Sequence, residues 1–167
     1  TSFCYFGYRS PDPLFARADS NGCAAGAVLE EAVLQGLLEL IERDAASLWW
    51  RGGQLARSIP PQHEAGIVAE GLLRQLRHGA SVRRRTWLLD ITTDIGVPCV
   101  AAASCRADGS GFAFGLAARS TLEAAVRSAT LEDLKRIRGI SELKEKKLNR
   151  GLRADRQLAL ARSQVRV

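Results

Sequence analysis

The stretch VLEEAVLQGLLELIERDAASL, residues 28–48, decides how this chain is read. Its apolar residues recur with an unbroken helical period, nearly every position is a good helix former, and Trp49-Trp50-Arg51-Gly52-Gly53 closes it. At about 100° per residue from Glu31, Gln35 lies at about 40°, Glu39 at about 80°, Glu42 at about 20° and Arg43 at about 120°. Three carboxylates and one amide therefore share one stripe, flanked by an arginine. Leu29, Val33, Leu34, Leu37, Leu38, Leu40 and Ile41 fill the rest of the circumference.

Upstream of that helix, Ser20-Asn21-Gly22-Cys23-Ala24-Ala25-Gly26 is a small-residue loop leading into its N-terminus. Before it, Phe3 and Tyr5 alternate with polar or small neighbours, as in a half-buried strand. Downstream, Ile59-Pro60-Pro61 breaks the chain and a second helix is expected from about Glu64 to His78. Strands are expected over Thr86–Thr92, Val97–Ser104 and Phe112–Leu116. Thr93-Asp94-Ile95-Gly96 turns between the first two, and Ala107-Asp108-Gly109-Ser110-Gly111 makes a hairpin between the last two. Ser120-Thr121-Leu122-Glu123 reads as a capping box with Ser120 at the N-cap, opening a helix to about Arg138. Helix, helix, three strands and helix predict an α+β fold with a mostly antiparallel sheet packed against long amphipathic helices. The expected organisation is a domain over residues 1–139 and a basic, helical tail over 140–167.

Composition narrows the classes. The 167 residues are 46% hydrophobic, with 24 Lys plus Arg against 18 Asp plus Glu and a net charge of +6. That is enough apolar material for a buried core and excludes a wholly disordered chain. No window approaches the roughly 18 uninterrupted apolar residues of a membrane span, and no signal peptide opens the chain, so a cytoplasmic protein is expected. The positive charge concentrates in Arg83-Arg84-Arg85 and in the segment after Leu134. Both read as solvated surface rather than as a nucleic-acid interface, because no aromatic residue interleaves the C-terminal run. Cys4, Cys23, Cys99 and Cys105 form no C-x-x-C, and only His63 and His78 could accompany them. Small buried apolar residues are the expectation for these cysteines, not a zinc site or a Cys–His pair. Trp49 and Trp50 read as packing at a helix end, and Asp94 as a turn residue.

The stripe is the chemically informative feature. An ordinary wet helix face pairs Glu with Lys four residues on, yet this stripe has no Lys in a basic chain. Glu31, Gln35 and Glu39 follow one another at i+4, and like charges that close repel unless a cation sits among them. Mg²⁺ takes oxygen ligands and is often held by one or two carboxylates together with substrate phosphates. The preceding loop exposes backbone N–H groups near a helix N-terminus, where anions are favoured. Neither a Walker A pattern nor a strand followed by G-x-G-x-x-G occurs, so an ordinary P-loop or Rossmann site is not expected.

These residues resemble the YcaO family, in particular the members that modify ribosomally made peptides. The likeness rests on Asp19-Ser20-Asn21-Gly22-Cys23-Ala24-Ala25-Gly26, on Glu30-Glu31-Ala32, and on Leu38-Glu39-Leu40-Ile41-Glu42-Arg43-Asp44-Ala45. It continues through Trp49-Trp50, Leu89-Asp90-Ile91-Thr92-Thr93-Asp94-Ile95-Gly96-Val97-Pro98 and Phe114-Gly115-Leu116-Ala117-Ala118, covering roughly Ala16 to Glu132. The family spacing E-x-x-x-Q-x-x-x-E-x-x-E-R belongs to a nucleotide and Mg²⁺ site, and Glu31, Gln35, Glu39, Glu42 and Arg43 fill it. The resemblance implies an ATP- and Mg²⁺-dependent enzyme that activates peptide backbone amides, giving azolines or thioamides. Glu39 and Glu42 would hold metal; Asn21, Glu31, Gln35 and Arg43 would contact nucleotide or position the ligands. The implied partners are a precursor peptide and a leader-binding or sulfur-donor protein, with self-association as a further expectation.

Three departures accompany the likeness. Family members are longer and carry a second acidic Glu-x-x-Glu cluster upstream of the loop, which nothing before Asp19 supplies. Lys135 stands three residues after Glu132, where the family usually has Gln. The Pro-rich C-terminus of azoline-forming members is absent, the chain ending Ser163-Gln164-Val165-Arg166-Val167. The expectation is thus an incomplete YcaO-like core, with a catalytically inactive binding module or scaffold as the alternative.

Overall fold

The computed structural model describes residues 20–76, 84–144 and 165–166. The expected strand at Phe3–Tyr5, Cys4, the helix end at His78, Arg83 and most of the basic tail lie outside them. Helix α1 spans Leu29–Trp50, strand β1 Ala56–Ser58, helix α2 Glu64–Leu76 and strand β2 Arg84–Asp90. Strands β3, Cys99–Arg106, and β4, Ala113–Ala118, are followed by helix α3, Leu122–Lys144, and a two-residue strand β5, Val165–Arg166. The residues divide into two units, one up to Leu40 and one from Ile41 onward. In the larger unit the strands form one sheet in the order β4-β3-β2-β1-β5. The first four pair antiparallel and β5 joins β1 in parallel, so the architecture is α+β, as expected from the sequence.

The core explains why β3 is made of such small residues. Positions 99–105 of this central strand are all buried, and a continuous apolar run is what a strand covered on both faces requires. On one face Leu88, Val100, Ala102 and Ala117 pack with Ile59, Ala65 and Ala69, and with Ala125, Val126 and Ala129 of α3. Period-two alternation sends Phe114, Leu116 and Ala118 to the opposite face. There Phe114 meets Trp50, their rings stacked at 6.0 Å between centroids.

Close approach of α3 depends on one glycine. A Cβ at Gly115 would lie 2.2 Å from the Ala129 carbonyl oxygen and 2.4 Å from the Asp133 nitrogen. Only glycine leaves room for that backbone-to-backbone contact. Beside it, the Ser104 hydroxyl of β3 donates to Asp133 Oδ1 at 2.9 Å and accepts from Arg84 Nη2 at 3.0 Å. Arg84 Nη2 also donates to the Gly111 carbonyl at 2.6 Å, tying β2 to the β3–β4 hairpin.

Several local expectations are corrected. The cap of α3 is Thr121, not Ser120: the Ala124 N–H donates to Thr121 Oγ1 at 3.2 Å, as geometry demands of the residue just before the first helical turn. Gly139 does not interrupt α3, which continues to Lys144. Arg84 and Arg85 lie in β2 rather than in a solvated loop, and Arg84 is half-buried. Cys99 and Cys105 are buried as expected, but Cys23 is exposed. Strand β1 was not expected, because three residues are too few to show a period. The turn at Thr93–Gly96 is as read, with Gly96 N–H donating to the Thr93 carbonyl at 3.1 Å. No helix of the described residues is long and apolar enough to cross a membrane.

Candidate functional site

The first unit holds Asn21, Glu31, Gln35 and Glu39. Its loop turns at Ser20–Cys23, where Gly22 adopts a φ of 76° and the Cys23 N–H donates to the Ser20 carbonyl at 3.1 Å. The loop rests on α1 itself: a Cβ at Gly36 would come within 2.6 Å of the Gly22 carbonyl oxygen. Asn21, Glu31 and Gln35 are exposed and Glu39 is half-buried. Glu31 Oε2 accepts from the Ala27 N–H at 2.8 Å, so this carboxylate closes the entrance to its own helix. The first helical turn is acidic, with Glu30 and Glu31. The N–H of Ala27 that an incoming phosphate could use is therefore already engaged. Val28, Leu29, Val33, Leu34, Leu37 and Leu40 are exposed, while Leu38 is buried.

The second unit begins with Glu42 and Arg43. Glu42 keeps only 13% of its side-chain surface exposed, and Arg43 Nη1 stands 3.9 Å from Glu42 Oε1. Burial pushes the Glu42 carboxyl above the ordinary glutamate range; Arg43 pulls it down, Glu132 pushes it up, and a hydrogen bond from the Ala118 N–H and the charge of Arg119 pull it down. Glu132, on α3, accepts from the Leu116 N–H through Oε2 at 3.0 Å. Its other oxygen meets Arg136 Nη2 at 2.9 Å, and the Arg136 guanidinium lies 5.0 Å from the centre of the Phe114 ring. Lys135 is exposed. Strand β4 thus brings two helical carboxylates, Glu42 and Glu132, to N–H groups two residues apart.

Sequence reasoning singled out Glu42; it placed Glu132 at the family's Glu-x-x-Gln position without setting it beside Glu42, and it missed Arg119 and Arg136. The i,i+4 spacing of Glu132 and Arg136 was available as a signal, but nothing local tells that the pair lies against β4. The Cys99 thiol is pushed up to about 11 by burial and then by Glu42, Asp90 and Asp44. It stays protonated near neutrality and is no nucleophile.

The residues present fit a hard cation with phosphate ligands. Glu42 is desolvated and faces a second carboxylate, and a divalent ion would relieve both costs. Among the described residues no three or more His, Cys, Asp or Glu converge into a metal cage.

Residues 1–165 match the family described as YcaO cyclodehydratase, ATP- and Mg²⁺-binding. The chain belongs to the YcaO family. Among solved structures it is similar to a heterocyclase in complex with substrate and cofactor, at 34% identity and a TM-score of 0.73, over 89% of this chain and 20% of that one. The heterocyclase TruD aligns at 33% identity and a TM-score of 0.64, over 94% of this chain and 23% of its own. YcaO from Methanopyrus kandleri, bound with AMPPCP and Mg²⁺, aligns at 27% identity and a TM-score of 0.65, over 95% and 41%. An uncharacterised protein of Methanothermobacter thermautotrophicus is 38% identical over 86 residues, which are 52% of this chain and 22% of that protein. The chain thus spans about a fifth of the length of the two heterocyclases and of the archaeal relative.

Proposed function

We propose that this chain is part of an ATP- and Mg²⁺-dependent enzyme that activates peptide backbone amides, forming azolines or thioamides in ribosomally made peptides. The observation that carries the reading is Glu42: a desolvated carboxylate beside Glu132, at one position of the E-x-x-x-Q-x-x-x-E-x-x-E-R spacing. Bound MgATP supplies a phosphoryl group that converts an amide oxygen into a leaving group. Glu39 and Glu42, i and i+3 on α1, are the metal-holding residues. Asn21, Glu31, Gln35 and Arg43 contact nucleotide or orient those ligands. Arg43 and Arg119 place positive charge near Glu42 and would offset the negative charge of a bound triphosphate. The residues that carry this chemistry lie within 1–139; the basic stretch after them begins inside α3, which runs on to Lys144. A precursor peptide and a leader-binding or sulfur-donor protein are the partners that suit the heterocyclase relatives, and the cytoplasm suits an ATP-using enzyme.

Two observations favour a second reading, a binding module without catalysis. Glu31 is engaged with Ala27, and Lys135 occupies the position where the family usually has Gln. Calorimetric titration of ATP with and without Mg²⁺ separates the two. The enzyme reading expects Mg²⁺-dependent binding that Glu39→Gln and Glu42→Gln each abolish. Absence of nucleotide binding, or binding unchanged by both substitutions, overturns it and leaves the module.

A further inference from the structure

The sheet carries a second concentration of charge, at the end of β3 away from Glu42. Arg84 of β2 and Arg106 of β3 stand directly opposite each other. The Arg106 N–H donates to the Ser110 carbonyl, and the Arg106 carbonyl accepts from the Gly109 N–H, both at 2.9 Å. The main chain of Arg106 is thus turned into the hairpin, away from β2. Its pairing with Arg84 is of the non-hydrogen-bonded kind, in which opposing side chains come closest. Like charges placed directly opposite destabilise a sheet.

The two guanidinium groups also converge. Around the point that a Cβ on Gly111 would occupy, Arg106 Nη1 lies at 3.1 Å, Arg106 Cζ at 3.4 Å and Arg84 Nη1 at 3.5 Å. Gly111, with a φ of 62°, offers bare backbone there. Arg84 is held in place through Nη2, which donates to Ser104 and to the Gly111 carbonyl. Arg106 Nη1 donates to the Ser110 hydroxyl at 3.3 Å. Two carboxylates stand nearby, and each has another donor. Asp133 accepts from the Ser104 hydroxyl, and the exposed Asp108 accepts from the Ser110 N–H at 2.9 Å. Among the described residues no carboxylate comes within ion-pair distance of Arg106. Guanidinium forks match the oxygens of phosphate, and a dianion between the two would turn their repulsion into attraction.

We propose that Arg84, Arg106 and the bare backbone at Gly111 form a binding site for a phosphate group. By the rise of a strand, about 20 Å of β3 separates Arg106 from Cys99, whose partner Ala118 meets Glu42. The site needs no metal, so its failure and the failure of the MgATP reading are separable.

The test is calorimetric titration and thermal unfolding of the full chain in metal-free, phosphate-free buffer of low ionic strength. The probes are inorganic phosphate, AMP and acetate. Phosphate should bind and raise the melting temperature, and Arg106→Gln should weaken it at least about tenfold by removing a charge-assisted donor. Arg127→Gln, at an exposed arginine of α3, should leave binding unchanged, which separates a built site from general attraction to a basic chain. AMP binding as tight as phosphate assigns the site to phosphomonoesters, and AMP binding tenfold weaker assigns it to the free ion; both sustain the proposal. Without phosphate, Arg106→Gln should melt no lower than the wild type, because it removes one of two like charges. A lower melting temperature there would make Arg106 a structural tie and overturn the proposal. Absence of phosphate binding, acetate binding as tight as phosphate, or equal losses in Arg106→Gln and Arg127→Gln would overturn it as well.

Discussion

At the β4 border of the sheet, the N–H groups of Leu116 and Ala118 meet carboxylates from two helices, Glu132 and Glu42. At the opposite side, β1 pairs in parallel, among the described residues, with Val165 and Arg166 of β5. Both are solutions to the same difficulty, that an edge strand offers backbone groups to any passing strand. The first is closed by side chains anchored in packed helices, and the second by the main chain of a further strand, β5. Closure of the first kind also concentrates charge: two carboxylates with Arg119, Arg43 and Arg136 around them. A border closed by carboxylates can double as a binding site for a cation, whereas one closed by a strand engages its polar groups in the ladder.

The comparison breaks if β4 tolerates disturbance as well as β1 does. Gly115→Val should have the largest effect of any substitution considered, because its first carbon already collides with the backbone of α3 at Ala129 and Asp133. Overpacking of this kind costs about 3 kcal/mol or more where the obstacle is backbone. Urea denaturation would read it as a lower midpoint. Next in size is Ser104→Ala, which removes the buried hydroxyl between Arg84 and Asp133. A buried hydrogen-bond partner lost in this way costs about 1–3 kcal/mol. Arg136→Ala should cost about 1 kcal/mol at most, since a partly exposed ion pair and a cation–π contact are each small. If Arg136→Ala proved as damaging as Gly115→Val, the closure of β4 would rest on charge rather than on close packing.

Much of this was visible in the sequence, for reasons that differ by element. Helix α1 shows itself because 22 residues give several helical turns of pattern. The β3–β4 hairpin shows itself because Gly109 and Gly111, with φ of 82° and 62°, occupy conformations other residues avoid. Strand β1 hides because Ala56–Ser58 carries no pattern long enough to recognise. Thr121 and Ser120 are equally good caps in chemistry, and only the position of the first turn chooses between them. The run Arg83–Arg85 looked like solvated surface because composition does not tell that Arg84 reaches Ser104 and Gly111. The candidate site divides the same way: Glu42 sits in a readable spacing, whereas Glu132 enters through tertiary packing of α3 on β4, which no local spacing encodes.

The smallest effect on stability is also the one that best separates structural closure from metal binding. Glu42→Gln keeps an oxygen able to accept the Ala118 N–H, and it removes a charge that burial and Glu132 both oppose. The carboxyl of Glu42 is raised in the fold relative to the unfolded chain, so its contribution favours the folded state at low pH. That contribution is lost as pH rises through the raised value. The wild-type and Glu42→Gln chains should therefore match in acid, and the variant should be equal or slightly more stable at neutral pH, as thermal unfolding across that range would show. Mg²⁺ competes with the same proton, so Mg²⁺-dependent ATP binding by the wild type should begin to weaken, on acidification, at a pH above the ordinary glutamate range. A Glu42→Gln chain that melts well below the wild type at neutral pH would mean that the carboxylate serves β4 rather than a cation. A chain that keeps its melting temperature and loses Mg²⁺-dependent ATP binding would mean the reverse: the Ala118 N–H donates equally well to an amide oxygen, and the charge is retained, despite its desolvation, for the ion.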